Sequence, residues 1–452
     1  MVIIIKPFPP LSTSTRPEAL IAPPGNWHYR SMAMQRPFLL EAFAVALAAA
    51  SPQTLLPPQL PPPPRGRTLV VGGGKAAASM AQAVEAHWPA TAPLSGLVVT
   101  RYQHGLPWQR IEVVEASHPL PDGRGAEAAE RMLQAIAALT ADDLLLVLLS
   151  GGGSSLLALP AEGVSLRELR STTRTLLACG ATIQEINTVR KHLTRFSGGR
   201  VAALSRAPVC ALILSDVVGD DPSYIASGPC APDPDSFADA QAVLQRYGIT
   251  PPPGVAAHLR RGLAGEIPDT PKPGACQFER VDNRIIGSAR SMLERVQAWL
   301  ERQGVDTLNL GEIEGESSRV AQAHARLIRD RLTTARRPFA LLSGGETTVS
   351  VRHENGRGGR NSEYLLALGL ALGDVADVWA LACDTDGIDG TEDNAGALWT
   401  PDSLRRAKDA GLDAAALLEA NDAYGFFSAL HDLVISGPSR TNVNDFRLVI
   451  LA

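Results

Sequence analysis

The feature that most restricts the fold of this chain is an unbroken apolar run that ends in a glycine triplet. Residues 144–149 read LLLVLL and lead directly into SGGGSS at 150–155. An apolar run without alternation is typical of a strand that is buried on both faces, as the strands of parallel sheets are. The run therefore predicts a parallel sheet whose two faces are covered by helices.

The same pattern recurs along the 452 residues. Further buried strands are predicted at Thr68–Val71 and Val209–Asp216, with helices between them. A stretch rich in helix and strand breakers near residues 250–275 interrupts the pattern, which then restarts. We therefore predict an α/β protein of two Rossmann-like, doubly wound domains with mainly parallel sheets, whose strand ends face an interdomain active-site cleft.

Changes in composition set the predicted domain boundaries. Residues 1–36 are rich in Pro, Ser and Thr and are predicted to be a disordered N-terminal extension. The N-terminal α/β domain is predicted at residues 37–272, beginning with an amphipathic helix at 37–50. The C-terminal domain is predicted at residues 275–452.

Composition excludes several classes of function. The chain has 42 basic and 47 acidic residues and a net charge of −5, so it lacks the basic excess of proteins that bind nucleic acid or anionic membranes. Its apolar stretches are too short to span a membrane. Five cysteines without tight spacing indicate reduced thiols and offer no zinc motif. We expect a cytoplasmic protein that acts on small molecules, with no nucleic-acid or membrane partner, and leave a homodimer open.

Glycine loops that follow two of the predicted strands indicate anion binding. Glycine lets backbone N–H groups approach a ligand closely and turn inward together, and serine adds hydroxyl donors. A plain flexible turn is the alternative for each loop. The residues predicted to form these loops are Gly72, Gly73, Gly74, Ser150, Gly151, Gly152, Gly153, Ser154 and Ser155.

The first loop, GGGKAA at 72–77, is not an ordinary P-loop, because it lacks the final Lys-Ser/Thr pair. It fits the dinucleotide fingerprint, but the next predicted strand ends in Arg101 rather than in an acidic residue that would hold a ribose. NAD is therefore disfavoured, and NADP stays an alternative. A lysine within the loop, Lys75, favours a charge held against a transferring phosphoryl group, with a solvated lysine as the alternative.

Aspartates cluster after the predicted strand in VWALACDTDGIDG. Asp384, Asp386 and Asp389 lie close together in sequence, and clustered carboxylates at a strand end commonly hold Mg²⁺. An EF-hand is excluded, because Ala395 stands at the twelfth position and the flanks are not two helices. Asp216, at the end of an earlier strand, is a further candidate ligand. A solvated acidic turn is the alternative.

Two basic segments are candidates for contacts to negative charge. Arg357 and Arg360 lie in the glycine-flanked segment ENGRGGRNSE, and an arginine on such a loop can stabilise charge on phosphoryl oxygens. Arg190 lies in a predicted helix at 183–193 and is a candidate for binding a substrate carboxylate. A loop with solvated arginines and a basic helix face are the alternatives.

Seven segments, taken in order, resemble the glycerate 2-kinases that have a C-terminal MOFRL domain. The resemblance runs from about Phe38 to the C-terminus and places the MOFRL region at about residues 338–446. The segments are VVGGGKAA, LLSGGGSSLLALP, INTVRKHL, LILSDVVGDDPSYIASGP, LLSGGETTV, GRGGRNSEYLLA and DTDGIDG.

The resemblance implies a kinase that transfers phosphate from ATP to the C2 hydroxyl of D-glycerate, with Mg²⁺ or Mn²⁺ as the metal. It implies that Lys75 and Arg360 are catalytic. Asp386, Asp389 and Asp216 are the predicted metal ligands. The predicted nucleotide- and substrate-binding residues are the loop residues Gly72–Gly74 and Ser150–Ser155 together with Arg190, Gly344, Gly345 and Glu346.

This chain departs from the family pattern at two positions. Asp384 stands where a glycine is common, and Ser197 stands where a lysine is common. Some similar proteins are named hydroxypyruvate reductases, so an NADP-linked hydroxypyruvate reductase is the alternative function.

Overall fold

The chain forms two units, each built around its own sheet. The computed structural model describes residues 3–4, 35–332, 334–353, 356–373 and 375–452, and for Ile3 and Ile4 the backbone alone. The N-terminal unit consists of residues 52–288. The C-terminal unit consists of residues 289–452 and of the described residues before Pro52, which include strand β1 (Ile3–Ile4) and helix α1 (Gln35–Ala49). This confirms the predicted two-domain α/β class.

A six-stranded sheet, parallel throughout, forms the centre of the N-terminal unit. Its strand order is β4-β3-β2-β5-β6-β7, so the order reverses between β2 and β5. This is the order of a Rossmann fold, in which ligands bind outside the carboxyl ends of the two strands at the reversal. The strands are β2 (Thr68–Gly73), β3 (Leu94–Arg101), β4 (Ile111–Ala116), β5 (Leu144–Leu149), β6 (Val209–Leu214) and β7 (Val281–Gly287).

Helices cover this sheet and also form a cluster of their own. The helices are α2 (Pro52–Leu55), α3 (Ala77–His87), α4 (Gly123–Ala137), α5 (Gly153–Leu156), α6 (Leu166–Ala178), α7 (Ile183–Leu193), α8 (Arg200–Leu204), α9 (Phe237–Arg246) and α10 (Pro253–Leu263). The apolar faces of α6, α7, α9 and α10 pack together in a separate core. Capping boxes begin α6, α7 and α9, which fixes where these three helices start.

The C-terminal unit contains a seven-stranded mixed sheet of order β1-β14-β13-β12-β15-β10-β8. Strand β15, the last in the chain, lies between β10 and β12 and is antiparallel to both. The strands after β1 are β8 (Asp306–Glu312), β9 (Gly315–Glu316), β10 (Phe339–Gly345), β11 (Thr347–Thr348), β12 (Val378–Asp384), β13 (Gly396–Trp399), β14 (Leu433–Ile435) and β15 (Asp445–Leu451). The prediction of mainly parallel sheets therefore fits the first sheet but not the second. Strands buried on both faces read alike in either direction, so sequence did not reveal this difference.

Helices of the C-terminal unit pack on the mixed sheet through one large core. They are α11 (Ala289–Arg302), α12 (Ser317–Arg331), α13 (Arg360–Leu372), α14 (Ser403–Asp409), α15 (Ala414–Glu419) and α16 (Ala423–Ala429). Helix α13 is buried along almost its whole length, which explains why its sequence is apolar on all sides.

Both predicted domain boundaries differ from the structure. Helix α1, predicted to open the N-terminal domain, packs in the C-terminal unit, where Phe43 stacks on Phe446 with ring centroids 6.0 Å apart. The proline-rich stretch near 250–275 is a loop that leads into β7, the last strand of the first sheet, so the boundary falls at residue 288 rather than at 272–275. An amphipathic pattern shows that a helix has a buried face, but not which sheet covers it.

The predicted disordered extension lies mostly outside the described residues, at 1–2 and 5–34. The described part of it is ordered, since β1 pairs in parallel with β14 and residues 35–36 begin α1. Among the described residues, no helix combines the length and the apolar character that a membrane crossing requires. All five cysteines are free thiols.

A buried histidine lies behind the mixed sheet of the C-terminal unit. His324 of α12 is 2.8 Å from the hydroxyl of Tyr364 on α13, and the guanidinium of Arg447 lies over the Tyr364 ring at 5.4 Å. Burial, with a smaller contribution from Arg447, lowers the pKa of His324 to about 4. The imidazole is therefore neutral in the folded protein at neutral pH.

We expect Leu39→Ala to destabilise the protein by about 2–5 kcal/mol, because Leu39 of α1 is completely buried. The control is Leu177→Ala on α6, where the side chain is 52% exposed and the change should stay within about 0.5 kcal/mol. Urea unfolding measures both. Equal, small effects of the two substitutions would show that α1 does not belong to the core of the C-terminal unit.

We expect the free energy of unfolding to fall as the pH is lowered, because His324 resists protonation in the folded protein. The substitution His324→Gln should remove this part of the pH dependence. The folded pKa of about 4 lies below the unfolded value of 6.5, so the stabilisation is complete above pH 6.5 and is lost as the pH falls towards 4. The loss amounts to about 3 kcal/mol at most. The measurement is urea unfolding of both proteins at several pH values. Parallel stability curves between pH 7 and about 4.5 would contradict this expectation.

Candidate active site

The candidate site of the N-terminal unit lies where β2 and β5 end, at the reversal of strand order. The N–H of Lys75 donates to the carbonyl of Gly151 at 2.8 Å, and the N–H of Ala76 donates to Ser150 Oγ at 3.0 Å. The two glycine loops predicted separately from the sequence are therefore joined into one structure. Their junction lies where Rossmann folds bind ligands.

Two glycines of the first loop are required by this close junction. Gly74 has a φ of +143°, and a Cβ there would lie 2.1 Å from Ser150 Oγ. A Cβ on Gly72 would lie 1.9 Å from the carbonyl oxygen of Leu148 on β5. Ser150 itself is fully buried and its hydroxyl oxygen accepts from Ala76. Ser150 therefore helps to hold the two loops together, and its contact with a ligand stays a prediction.

The second loop offers backbone donors. Within the described residues, no hydrogen bond engages the N–H groups of Gly151 and Gly152. Gly152 has a φ of +82° and precedes the short helix α5. Ser155 donates its hydroxyl to the Gly152 carbonyl at 3.1 Å and is thereby committed to the loop. The two N–H groups are the feature of this loop that fits an anion.

Lys75 and His118 flank Gly152. A Cβ built on Gly152 would lie 2.9 Å from the ring of His118 and 3.6 Å from the Lys75 side chain. Lys75 is half-buried, as expected for a residue at the end of a buried strand. His118 was not predicted, because β4, the strand that precedes it, was not recognised in the sequence. The signal was present, since IEVVEA at 111–116 alternates and is followed by a proline-rich loop.

A polar chain connects the second loop to helix α7. The hydroxyl of Ser227 lies 2.8 Å from Ser154 Oγ and donates to Oδ1 of Asn187 at 2.9 Å. Ala226 and Ser227 both have positive φ, of 51° and 59°. Such backbone is costly for residues other than glycine and is common where side chains are held for a ligand. The sequence pattern did not identify either Asn187 or Ser227.

Arg190, on the same helix, has no carboxylate partner among the described residues. Its Nη1 donates to Asn187 Oδ1 at 3.2 Å, and burial lowers its pKa to about 10. The two basic residues that follow it are engaged, Lys191 with Asp233 at 3.1 Å and His192 with Asp269 at 2.9 Å. A guanidinium without a counter-charge attracts an anion, and the contact of Arg190 with a substrate carboxylate stays a prediction.

The C-terminal unit has a charged cluster of its own, centred on Arg360, the first residue of α13. Its guanidinium pairs with three carboxylates, each at 2.8 Å: Asp445, Asp384 and Glu346. Burial alone would lower the pKa of Arg360, but these charges raise it well above its usual value. Arg447 also pairs with Asp445. Three carboxylates thus surround two guanidiniums, so this cluster has no excess positive charge for a phosphoryl group.

The predicted metal ligands of the C-terminal unit do not fit a metal ion. Both carboxylate oxygens of Asp389 accept hydrogen bonds at the start of α13, from the N–H groups of Asn361 and Ser362 at 2.9 and 2.8 Å and from the Ser362 hydroxyl. Asp386 accepts from the N–H of Ile388 at 2.9 Å and so closes a turn. In the described part of the chain, no three acidic, His or Cys side chains gather in a way that could hold a metal. The geometry of Asp386 and Asp389 does not support the predicted Mg²⁺ site, which stays a prediction.

Asp216 lies in the N-terminal unit, two residues after β6. Strand β6 pairs with β5 in parallel, so Asp216 lies at the same edge of the sheet as the glycine loops. The structure thus separates it from Asp386 and Asp389 by unit and groups it with the loop residues of the first sheet.

The glycine turn after β10 is a close backbone contact. Gly345 has a φ of +87°, and a Cβ there would lie 2.5 Å from the backbone nitrogen of Ile313. A Cβ on Gly344 would lie 3.0 Å from the carbonyl oxygen of Asp445. Glu346 pairs with Arg360, and its binding of nucleotide or substrate stays a prediction. Packing therefore accounts for the turn.

A cavity of about 310 Å³ opens beside Arg360 in the C-terminal unit. Glu363 of α13 lines it and accepts from Asn421 at 2.9 Å and from Ser318 at 3.3 Å. Burial raises the pKa of Glu363. The cavity is large enough for a small organic molecule. Sequence reasoning missed Glu363, because the rest of α13 after it is apolar and gave no sign that a polar side chain of this helix lines a cavity.

Two family models match the chain. The model described as a domain of unknown function, DUF4147, matches residues 38–260, and the MOFRL family matches residues 339–445. The two matches lie largely in the N-terminal and the C-terminal unit, respectively.

Curated relatives cover nearly the whole chain. A protein from Agrobacterium vitis named putative hydroxypyruvate reductase is 48% identical over 92% of this chain and 94% of its own length. The glycerate 2-kinase of Pyrococcus horikoshii is 35% identical over 83% of this chain and 85% of its own length. The D-glycerate 2-kinase of Thermotoga maritima is 36% identical over 77% of this chain and 82% of its own length.

A solved structure agrees with these relatives. The crystal structure of a glycerate kinase from Thermotoga maritima is 34% identical to this chain, covers 93% of it and 100% of its own chain, and superposes with a TM-score of 0.82. With relatives and a solved structure at 34–36% identity over most of its length, this chain is a member of the glycerate 2-kinase family.

Proposed function

We propose that this protein is an ATP-dependent kinase that phosphorylates D-glycerate at the C2 hydroxyl. The observation that supports it most directly is the joined loop of β2 and β5. This chain belongs to the glycerate 2-kinase family. Its joined loop brings together Lys75 and the N–H groups of Gly151 and Gly152, which no hydrogen bond engages among the described residues, at the strand reversal of a Rossmann sheet. With its free thiols, the enzyme is proposed to act in the cytoplasm.

The loop is proposed to bind phosphate oxygens. Backbone N–H groups and a lysine are suited to the charge that spreads over the phosphoryl oxygens during transfer. The N–H groups of Gly151 and Gly152 hold the phosphate in place, and Lys75 offsets the developing charge. The buried hydrogen bonds of Ser150 and Ala76 keep the loop rigid, so that the donors need no rearrangement during reaction.

Arg190 is proposed to bind the carboxylate of glycerate. It lacks a counter-charge among the described residues and is held through Asn187 to the chain of Ser227 and Ser154. A carboxylate fixed in this way brings the adjacent C2 hydroxyl closer to the loop than the C3 hydroxyl. Transfer requires the attacking oxygen to be in line with the γ-phosphorus, so a short distance between the two anion contacts favours C2.

The nucleotide is proposed to act with Mg²⁺ or Mn²⁺. Such an ion, when bound, offsets charge on the phosphates, and it is commonly held by the phosphates with only one or two carboxylates. Asp216, which follows β6 at the edge of the first sheet, is the proposed protein ligand because it lies at the same sheet edge as the glycine loops.

Arg360 is proposed to be a positioning residue. Three of its five N–H groups are committed to Asp445, Asp384 and Glu346. These pairs tie the start of α13 to the ends of β10, β12 and β15. Two N–H groups of Arg360 remain for a ligand. The surrounding carboxylates, however, offset the positive charge that Arg360 would need to stabilise a phosphoryl group.

A second candidate is an NADP-linked hydroxypyruvate reductase. Two Agrobacterium vitis relatives, 48% and 44% identical, are named putative hydroxypyruvate reductases. The Rossmann strand order and Arg101 at the end of β3 are compatible with a dinucleotide that has a 2′-phosphate. The loop lysine has no evident task in hydride transfer, so we rank this candidate second.

A coupled assay decides both the reaction and the position of transfer. The protein is mixed with ATP, Mg²⁺, D-glycerate and enolase, without phosphoglycerate mutase, and we expect phosphoenolpyruvate to form directly. If it forms only after mutase is added, the product is the 3-phosphate and the C2 assignment is wrong. Oxidation of NADPH by hydroxypyruvate, without any phosphoenolpyruvate, would establish the second candidate instead.

Two substitutions should separate catalysis from substrate binding. We expect Lys75→Ala to lower kcat roughly 10²–10³-fold with little change in the KM for glycerate, because its charge acts on the transferring group. We expect Arg190→Gln to raise the KM for glycerate about tenfold or more, because it removes a charge-assisted hydrogen bond to the carboxylate.

Exposed residues of the same types supply the controls. Lys408→Ala on α14 and Arg167→Gln on α6 change the same side chains at the surface and should leave kcat and KM unaltered. Near-normal kcat in Lys75→Ala would remove Lys75 from the mechanism. An unchanged KM in Arg190→Gln would do the same for the carboxylate contact.

A further inference from the structure

Arg440 occupies an unusual backbone position in the C-terminal unit. It lies in the loop between β14 and β15 and has a φ of +60°, in the left-handed region that a side chain with a Cβ enters at a cost. Such positions persist where the surrounding structure enforces them, and they cluster at ligand-binding segments.

The loop on both sides of Arg440 is firmly held. Ser439 donates its N–H to the Asp386 carbonyl at 3.0 Å and its hydroxyl to the Thr385 carbonyl. Thr441 donates its hydroxyl to the carbonyl of Ala50 at 2.6 Å. Arg440 is therefore fixed between two anchored residues, next to the loop that follows β12. The strained backbone is a stable feature of the fold rather than a consequence of a loose loop.

Among the residues that the structure describes, the guanidinium of Arg440 has no partner. Across the described ranges, no hydrogen bond, ion pair or aromatic ring engages it, and its Nε is shielded from solvent without an acceptor. A buried N–H without an acceptor is costly, and in native proteins most such groups are satisfied by a protein atom, water or a bound ligand. An oxyanion is the partner that the planar, charged fork of an arginine fits best.

Nearby charges make this unpaired arginine significant. Arg360 and Arg447, the arginines that meet the ends of β10, β12 and β15, are committed to Asp445, Asp384 and Glu346. The loop with Arg440 contacts the Asp386 segment, which in turn is linked to Asp384 by a hydrogen bond of 2.9 Å. Arg440 therefore supplies, beside this cluster, the positive charge that Arg360 does not have to spare.

We propose that Arg440 is the residue through which the C-terminal unit binds an oxyanion of a substrate. The oxyanion is either a phosphate of the nucleotide or the carboxylate of the hydroxy acid. Both groups can accept two parallel hydrogen bonds from a guanidinium. The proposal rests on the proposed function for the identity of the two substrates. The binding itself can be measured without turnover.

Arg440→Gly separates a binding role from a structural one. Glycine adopts a φ of +60° freely, so we expect the Tm of this variant to equal or exceed that of the wild type. We expect the KM of one substrate to rise about tenfold or more, with Arg440→Lys between the two. The control is His431→Gly, an exposed residue of the same unit with a φ of +57°, which should leave both KM values unchanged.

Calorimetric titrations identify the source of the oxyanion. Wild type, Arg440→Gly and His431→Gly are each titrated with ADP and, separately, with D-glycerate. Weaker binding of ADP alone assigns the contact to phosphate, and weaker binding of glycerate alone assigns it to the carboxylate. The titrations measure binding without turnover. They therefore test the role of Arg440 even if no phosphoryl transfer is found and the proposed function fails.

Two results would overturn the inference. One is a fall in Tm for Arg440→Gly with unchanged affinity for both ligands, which would make Arg440 a structural residue. The other is equal affinity and equal Tm in the variant and the wild type, which would show that Arg440 contributes neither to ligand binding nor to stability.

Discussion

The pair formed by Arg360 and Asp445 is the interaction on which the arrangement of the C-terminal unit depends. Asp445 is fully buried at the start of β15, in register with Gly345 of β10 and Asp384 of β12. Burial would raise its pKa, but Arg360 and Arg447 lower it, so the carboxylate stays ionised. Because an unpaired buried charge costs several kcal/mol, the start of α13 is tied to the ends of three strands at once.

The two units use charge in opposite ways. In the N-terminal unit, Arg190 lacks a counter-charge among the described residues and the N–H groups of Gly151 and Gly152 are unengaged. In the C-terminal unit, Arg360 and Arg447 are surrounded by carboxylates. Because an anion binds where positive charge is not already offset, this difference favours the loops of the first sheet as an anion site in one unit, and the proposed Arg440 over Arg360 in the other.

Sequence alone could predict those features that depend on short-range patterns. The apolar run of β5 and the glycines after β2 indicated a Rossmann sheet with a site at its edge, since parallel strands bring their carboxyl ends to one side. It could not predict the antiparallel insertion of β15 or the packing of α1 in the other unit. Both depend on which of several apolar surfaces meet, and apolar side chains have little directional preference.

Spacing along the chain also shows where charged groups lie without showing what they bind. Asp386 and Asp389 have the spacing of metal ligands, yet the turn at Ile388 and the first N–H groups of α13 engage them. A helix start carries partial positive charge and unpaired donors, so it competes with a metal ion for the same carboxylate oxygens. The same distinction separates Arg360 from Arg440. Both follow glycine-containing segments, but a guanidinium can attract a substrate only where the fold has not already supplied its carboxylates.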